Sequence, residues 1–197
     1  DPAPGTNPLS IGLPAGDGNL LMLDMATTVV SYGTIKKYAL HGKPLPEGWM
    51  IDRRSGGPLT DPGQSAEGLL LPIGGYKGSG LALMLGFLAG TLNGAAMGLD
   101  VVDFNAVSNQ PTNTGQFVVA LDVNRFRPLA EFESEVRRHA EALKAGARLP
   151  GVDAIRLPGE NRSARRTERL RQGVPLPAPL LQRLNDLARE LGTAPLA

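Results

Sequence analysis

The segment Leu69 to Gly80, LLLPIGGYKGSG, confines the fold more than any other stretch of this 197-residue chain. An apolar run of strand character meets a glycine-dense turn carrying one lysine, and from Leu81 the pattern is that of a helix. A strand that turns sharply into a helix belongs to an α/β layer architecture. Unpaired backbone N–H groups at such a helix start, with the positive end of the macrodipole, suit an anion. Glycines at 74, 75, 78 and 80 let a guest approach the backbone or take φ > 0 where a turn needs it. Two readings are open on these residues alone: a tight turn with a solvated Lys77, or a phosphate site. The segment is not a Walker A loop, because Lys77 precedes Gly78 and Ser79, and it lacks the third glycine of a dinucleotide fingerprint.

With 42% hydrophobic and 20% charged residues the chain can bury a core of one domain, or of one and part of another. A net charge of +1 and 5% aromatics argue against nucleic-acid or membrane-surface binding. The chain has no cysteine, which removes disulfides, thiolate nucleophiles and thiolate-bound metals, and no metal site is expected. The stretch Leu81 to Ala96 is too interrupted to span a bilayer and reads as a buried helix. No leader precedes Asp1, and so abrupt a start reads as a fragment or a processed chain.

Ser10 to Pro14 and Leu20 to Met25 read as a hairpin across Ala15 to Asn19. A helix is expected from Met25, with Val29, Val30, Ile35 and Ala39 on its apolar side, stopped at His41 to Pro44. Residues 44–62 read as a polar surface connection. The nearly all-apolar run Gln116 to Val123 reads as a strand covered on both faces. Pro128 opens an amphipathic helix closed by Gly146, with Glu133 and Arg137 at i,i+4, and a last helix runs from Leu180 to Gly192. The expected fold is α/β, helices packed on a mixed, non-Rossmann central sheet. Residues 1–123 would form the main domain, and 124–197 a helical region packing back on it.

Four patterns taken together resemble one family. They are Gly5-Thr6-Asn7-Pro8, Leu23-Asp24-Met25-Ala26-Thr27, GGYKGSG at 74–80, and Leu157-Pro158-Gly159-Glu160-Asn161-Arg162. In this order they are similar to the malate/L-lactate dehydrogenase family of NAD- or NADP-dependent 2-oxoacid reductases, which does not use the Rossmann fold. The resemblance implies that Thr6 and Thr34 face substrate. It implies that Asp24, Met25, Ala26, Tyr76 and Lys77 contact cofactor, with Gly159, Glu160, Asn161 and Arg162 as a loop closing over the same dinucleotide. It further implies a cytoplasmic homodimer acting on a small 2-hydroxy or 2-oxo acid.

Other roles stand beside these. Asp24 could cap the following helix, Thr6 could be a turn residue, and the arginines after 162 read as a solvated basic face. The family's proton-donating histidine, in a Ser-His-Gly segment, is absent from these residues, so no catalytic residue is assigned in this chain. His41 ends a helix and His139 lies on a helix surface. Thr34 stands where the imine-reducing branch places an aspartate, which argues against that branch's substrate. The rival reading is a non-catalytic nucleotide- or anion-binding module acting with a partner chain.

Overall fold

The computed structural model describes residues 5–102 and 110–196. Strands β1 (Leu9–Pro14) and β2 (Leu20–Met25) form the expected antiparallel hairpin, with Leu9 opposite Met25 and Pro14 opposite Leu20. Its turn places Gly16, Asp17 and Gly18 at positive φ. Gly16 lies beneath the Arg137 guanidinium, which ion-pairs with Asp17 at 3.5 Å, so a side chain at 16 would strike the arginine. The expected pair of Glu133 with Arg137 is therefore replaced: Arg137 reaches the hairpin turn, and Arg138 pairs with Glu135.

Beyond β2 the chain stays extended where a helix was expected from Met25. The Thr27 amide donates to the Thr6 carbonyl at 2.9 Å, the Val29 amide donates to Leu71, and the Ile73 amide donates to Thr27. These long-range bonds consume the backbone groups a helix would need. Helix α1 (Tyr32–Leu40) starts only after Ser31, whose hydroxyl accepts from the Thr34 amide as an N-cap.

The stretch 44–62 is also not a surface connection. It contains β3 (Met50–Asp52), antiparallel to β4 (Gly68–Leu70), and three of its apolar side chains complete a core. Ile35, Leu45, Met50 and Leu59 are all buried, Ile35 to 0% exposure, and Val30, Tyr38, Trp49 and Leu70 pack around them. Tyr38 and Trp49 meet edge to face with centroids 5.1 Å apart.

After β4 the chain enters α2 (Tyr76–Ala89) five residues earlier than the apolar pattern suggests. Only Gly74 and Gly75 of the four glycines take positive φ. Gly78 serves close packing, because a Cβ there would lie 1.9 Å from the Ile73 carbonyl oxygen. The helix is not buried as expected: Leu83, Met84 and Phe87 are exposed, and its only buried residues are Gly78, Ala82 and Gly86. Residues 116–122 likewise form no strand and lie open, Val118 at 85% exposure. Apolarity alone made both segments read as covered.

The described residues thus build a mixed helix-and-strand fold from two small antiparallel sheets, without the central sheet. Helices α3 (Leu129–Lys144), α4 (Glu160–Gln172) and α5 (Ala178–Glu190) follow, none with a buried residue. Among the described residues no helix is long and apolar enough to cross a membrane.

Candidate functional site

Strand β2 and its extension to Thr27 carry the second sequence pattern and touch the first and the fourth, and they hold Ile73, the residue before the third. Thr27, fully buried, donates both its amide and its hydroxyl to the Thr6 carbonyl, at 2.9 and 3.0 Å. The next residue, Asn7, donates from its side chain to the Ala82 carbonyl of α2 at 2.7 Å. The Thr27 carbonyl holds Ile73, directly before Gly74 and Gly75. On the other side Gly159 touches β2: a Cβ there would stand 2.8 Å from the Met22 carbonyl oxygen. Segments that are 138 residues apart are then pinned by an ion pair between Arg162 and Asp24, at 2.5 Å.

Asp24 is therefore no helix cap; it is an exposed carboxylate at a strand end, neutralised by an arginine. Met25 and Ala26, partly buried, continue the strand toward Thr27. The Thr6 hydroxyl has no partner among the described residues, since its carbonyl makes the contacts. Thr34 shares a hydrogen bond between its hydroxyl and that of Ser31, 3.1 Å apart. Tyr76, 83% exposed, and Lys77 open the first turn of α2 with both side chains outward. No described residue holds the Lys77 ammonium.

The 159–162 segment is not a loop but the start of α4, with Gly159 left-handed at φ 83° as its N-cap. Its carboxylate is engaged internally. Glu160 accepts from the Lys144 ammonium at 2.5 Å and from the Leu157 amide at 3.1 Å. The lysine's hydrogen bond first, and the amide second, hold its carboxyl below the usual range. Glu160 thus fastens α4 to the end of α3, while the exposed Asn161 and Arg162 stay on the side of β2.

Between β2 and α4 lies a cavity of about 540 Å³ lined by Asp24, Gly159, Asn161 and Arg162, with Arg165, Arg166 and Arg169 further along the helix. The sequence reading missed this helix and with it the direction of its arginines. The signal was present as basic residues at 162, 165, 166 and 169, the spacing of one helical face. Neither histidine belongs to the site: His41 closes α1 through its backbone amide, and His139 lies exposed beside Glu135 and Arg138. No metal-binding group of three or more acidic or histidine side chains occurs among the described residues.

The sequence profile of the malate/L-lactate dehydrogenase family matches residues 1–185. A malate dehydrogenase of Pyrococcus horikoshii is 34% identical over 95% of this chain and 53% of its own length. A Delta(1)-pyrroline-2-carboxylate reductase of Pseudomonas fluorescens is 36% identical over 94% of this chain and 54% of its own. The crystal structure of malate dehydrogenase from Entamoeba histolytica superimposes with a TM-score of 0.86 at 26% identity, covering 95% of this chain and 55% of that one. The chain spans about half the length of the curated relatives it matches.

Proposed function

Because the chain belongs to the malate/L-lactate dehydrogenase family, we propose that the protein it forms is an NAD- or NADP-dependent oxidoreductase interconverting a 2-hydroxy acid and its 2-oxo acid. The observation that carries this reading is that Arg162 and Gly159 meet β2 at Asp24 and Met22, while Thr6 and Ile73, the residue before the 74–77 turn, meet the same chain just beyond it at Thr27. The residues present fit a dinucleotide: an arginine-rich cavity opens beside a strand-end carboxylate, and Gly159 lets α4 approach the β2 backbone. Asp24, Met25, Ala26, Tyr76, Lys77, Gly159, Asn161 and Arg162 would hold it. A nicotinamide, when bound, supplies or accepts the hydride.

The protein's own residues then orient and neutralise. Lys77, on the first turn of α2 and without a partner among the described residues, would meet a phosphate. Arg162 is held ready by Asp24, whose remaining lone pairs can accept from ribose hydroxyls. The Thr6 hydroxyl would donate to a substrate carboxylate or carbonyl oxygen. Thr34 would stand at the rim of the same pocket. Protonating the substrate oxygen requires an acid, and in this reading a histidine outside these 197 residues provides it.

Residues 116–123 would complete a mixed central sheet with strands from the remainder of the polypeptide, and residues 124–197 would pack on it as a helical region. The chain exposes 14482 Å² where a compact monomer of 20.7 kDa would expose about 9,000 Å², which supports a large covered face in the intact protein. A cytoplasmic homodimer is the assembly proposed. Each relative named above is an enzyme, which favours catalysis over a non-catalytic binding module.

Titrating the full-length protein with reduced dinucleotide while following nicotinamide fluorescence tests the reading. Saturable binding is expected, weakened about 10- to 100-fold by Lys77→Ala, the loss of one charge-assisted contact. No binding, or an affinity indifferent to Lys77, would overturn it.

A further inference from the structure

We infer that the cavity between β2 and α4 selects the 2′-phosphate of an adenosine, so that the protein uses NADP in preference to NAD. This rests on the proposed dinucleotide site and deepens it by naming which dinucleotide the site takes.

Charge is the first argument. Among the described residues Asp24 is the only carboxylate lining the cavity, and Arg162 already engages it. A strand-end carboxylate left free to accept from a 2′-hydroxyl would favour NAD and repel a phosphate. Here its charge is cancelled, and Arg165, Arg166 and Arg169 add three further positive charges to the same wall. None of these three guanidinium groups has an ion-pair or hydrogen-bond partner among the described residues. Elsewhere on the surface some arginines, such as Arg54 and Arg138, pair with carboxylates while Arg53, Arg156, Arg171 and Arg183 form no ion pair among the described residues; Arg165, Arg166 and Arg169 are set apart by lining one cavity together. Three unpartnered guanidinium groups turned toward one cavity form a receptor for a dianion, which their planar forks meet bidentately.

Position is the second. Arg166 and Arg169 lie about 6 and 10 Å along the helix axis from Arg162, at 1.5 Å per residue. Two phosphate groups of one ligand can therefore be held apart on the same helix, one near the Gly159 end and one a turn or two beyond. The third argument is the apolar lining. Met22, Leu23, Leu157 and Pro158 also line the cavity, an apolar setting for a purine ring beside the phosphate it carries.

The experiment uses the full-length protein and compares Kd values for NADPH and NADH by nicotinamide fluorescence at one ionic strength. Adenosine 2′,5′-bisphosphate, adenosine 5′-monophosphate and inorganic phosphate serve as competitors. NADPH is expected to bind at least 10-fold more tightly than NADH, and the bisphosphate to displace it where the monophosphate and free phosphate do not. The variant Arg165→Ala/Arg166→Ala/Arg169→Ala should lower that preference at least 10-fold with little change in melting temperature, because all three side chains are exposed. The corresponding triple lysine variant should recover part of it. Equal or tighter binding of NADH, a preference unaltered in the alanine variant, or displacement by free phosphate as effective as by the bisphosphate would each overturn the inference and leave the dinucleotide site standing. Failure of both dinucleotides to bind would overturn the site and the inference together.

Discussion

The core around Ile35 and the segment around Val118 are opposite in sequence and in structure: scattered apolar residues are buried in the first, and a nearly continuous apolar run is exposed in the second. Ile35, Leu45, Met50 and Leu59 close on one another through α1, β3 and the turn before β4. Phe117, Val118, Val119 and Leu121 are open to solvent, as are Leu83, Met84 and Phe87 of α2. Apolar pattern reports that a segment needs a partner; it does not say whether that partner lies within this stretch of chain.

Substitutions in the buried core and in the open segment of the full-length protein should both be costly, for different causes. Ile35→Ala should cost about 2–5 kcal/mol by chemical denaturation, the usual range for an emptied core site. If the second region is covered as proposed, Val118→Asp should cost at least about 2 kcal/mol as well; a change within about 0.5 kcal/mol would mark that face as solvent-exposed in the intact protein.

A pair of glycines in one helix sharpens the contrast between close approach and open space. Gly78→Ala should destabilise by about 1–3 kcal/mol, because its methyl would collide with the Ile73 carbonyl and disturb the turn at 74–75. Gly80→Ala, with nothing within 4 Å of the added atom, should stabilise α2 by about 0.5–1 kcal/mol. Melting temperatures of the two variants read the difference directly.

The smallest effect expected is a pH dependence at the base of α4. Lys144 and the Leu157 amide hold the folded Glu160 carboxyl below its ordinary value of 4.5, so its contribution is fully present above that value. The contribution disappears as pH falls through the lowered folded value. Glu160→Gln should therefore melt below the wild type at neutral pH, and the gap should close on acidification beneath about pH 4.5. A gap independent of pH would mean that the carboxylate's charge is not what fastens α4 to α3.

The hairpin, the stop of α1 at His41 and the existence of α3 and α5 were legible in the sequence because turn residues and helical spacing are local signals. The start of α1 was not, since it is set by Thr27 bonding to Thr6 and to Ile73, partners far away in the chain. The core contribution of 44–62 was hidden for a similar reason. Leu45, Met50 and Leu59 are isolated among Gly, Pro and Asp, without periodicity, and only β3 pairing with β4 brings them inward. For the site, the order of the four patterns pointed to their family, yet Glu160 shows how little order says about direction. It stands in the right segment but turns its carboxylate to Lys144. The arginines beyond 162 carried a periodic signal that a charge run obscures.

The most direct measurement is a crystal structure of the full-length protein with reduced dinucleotide bound. The phosphates are expected against Lys77, Arg162 and the arginines of α4, with a ribose beside Asp24. A dinucleotide seated elsewhere, with the cavity between β2 and α4 filled only by solvent, would contradict it.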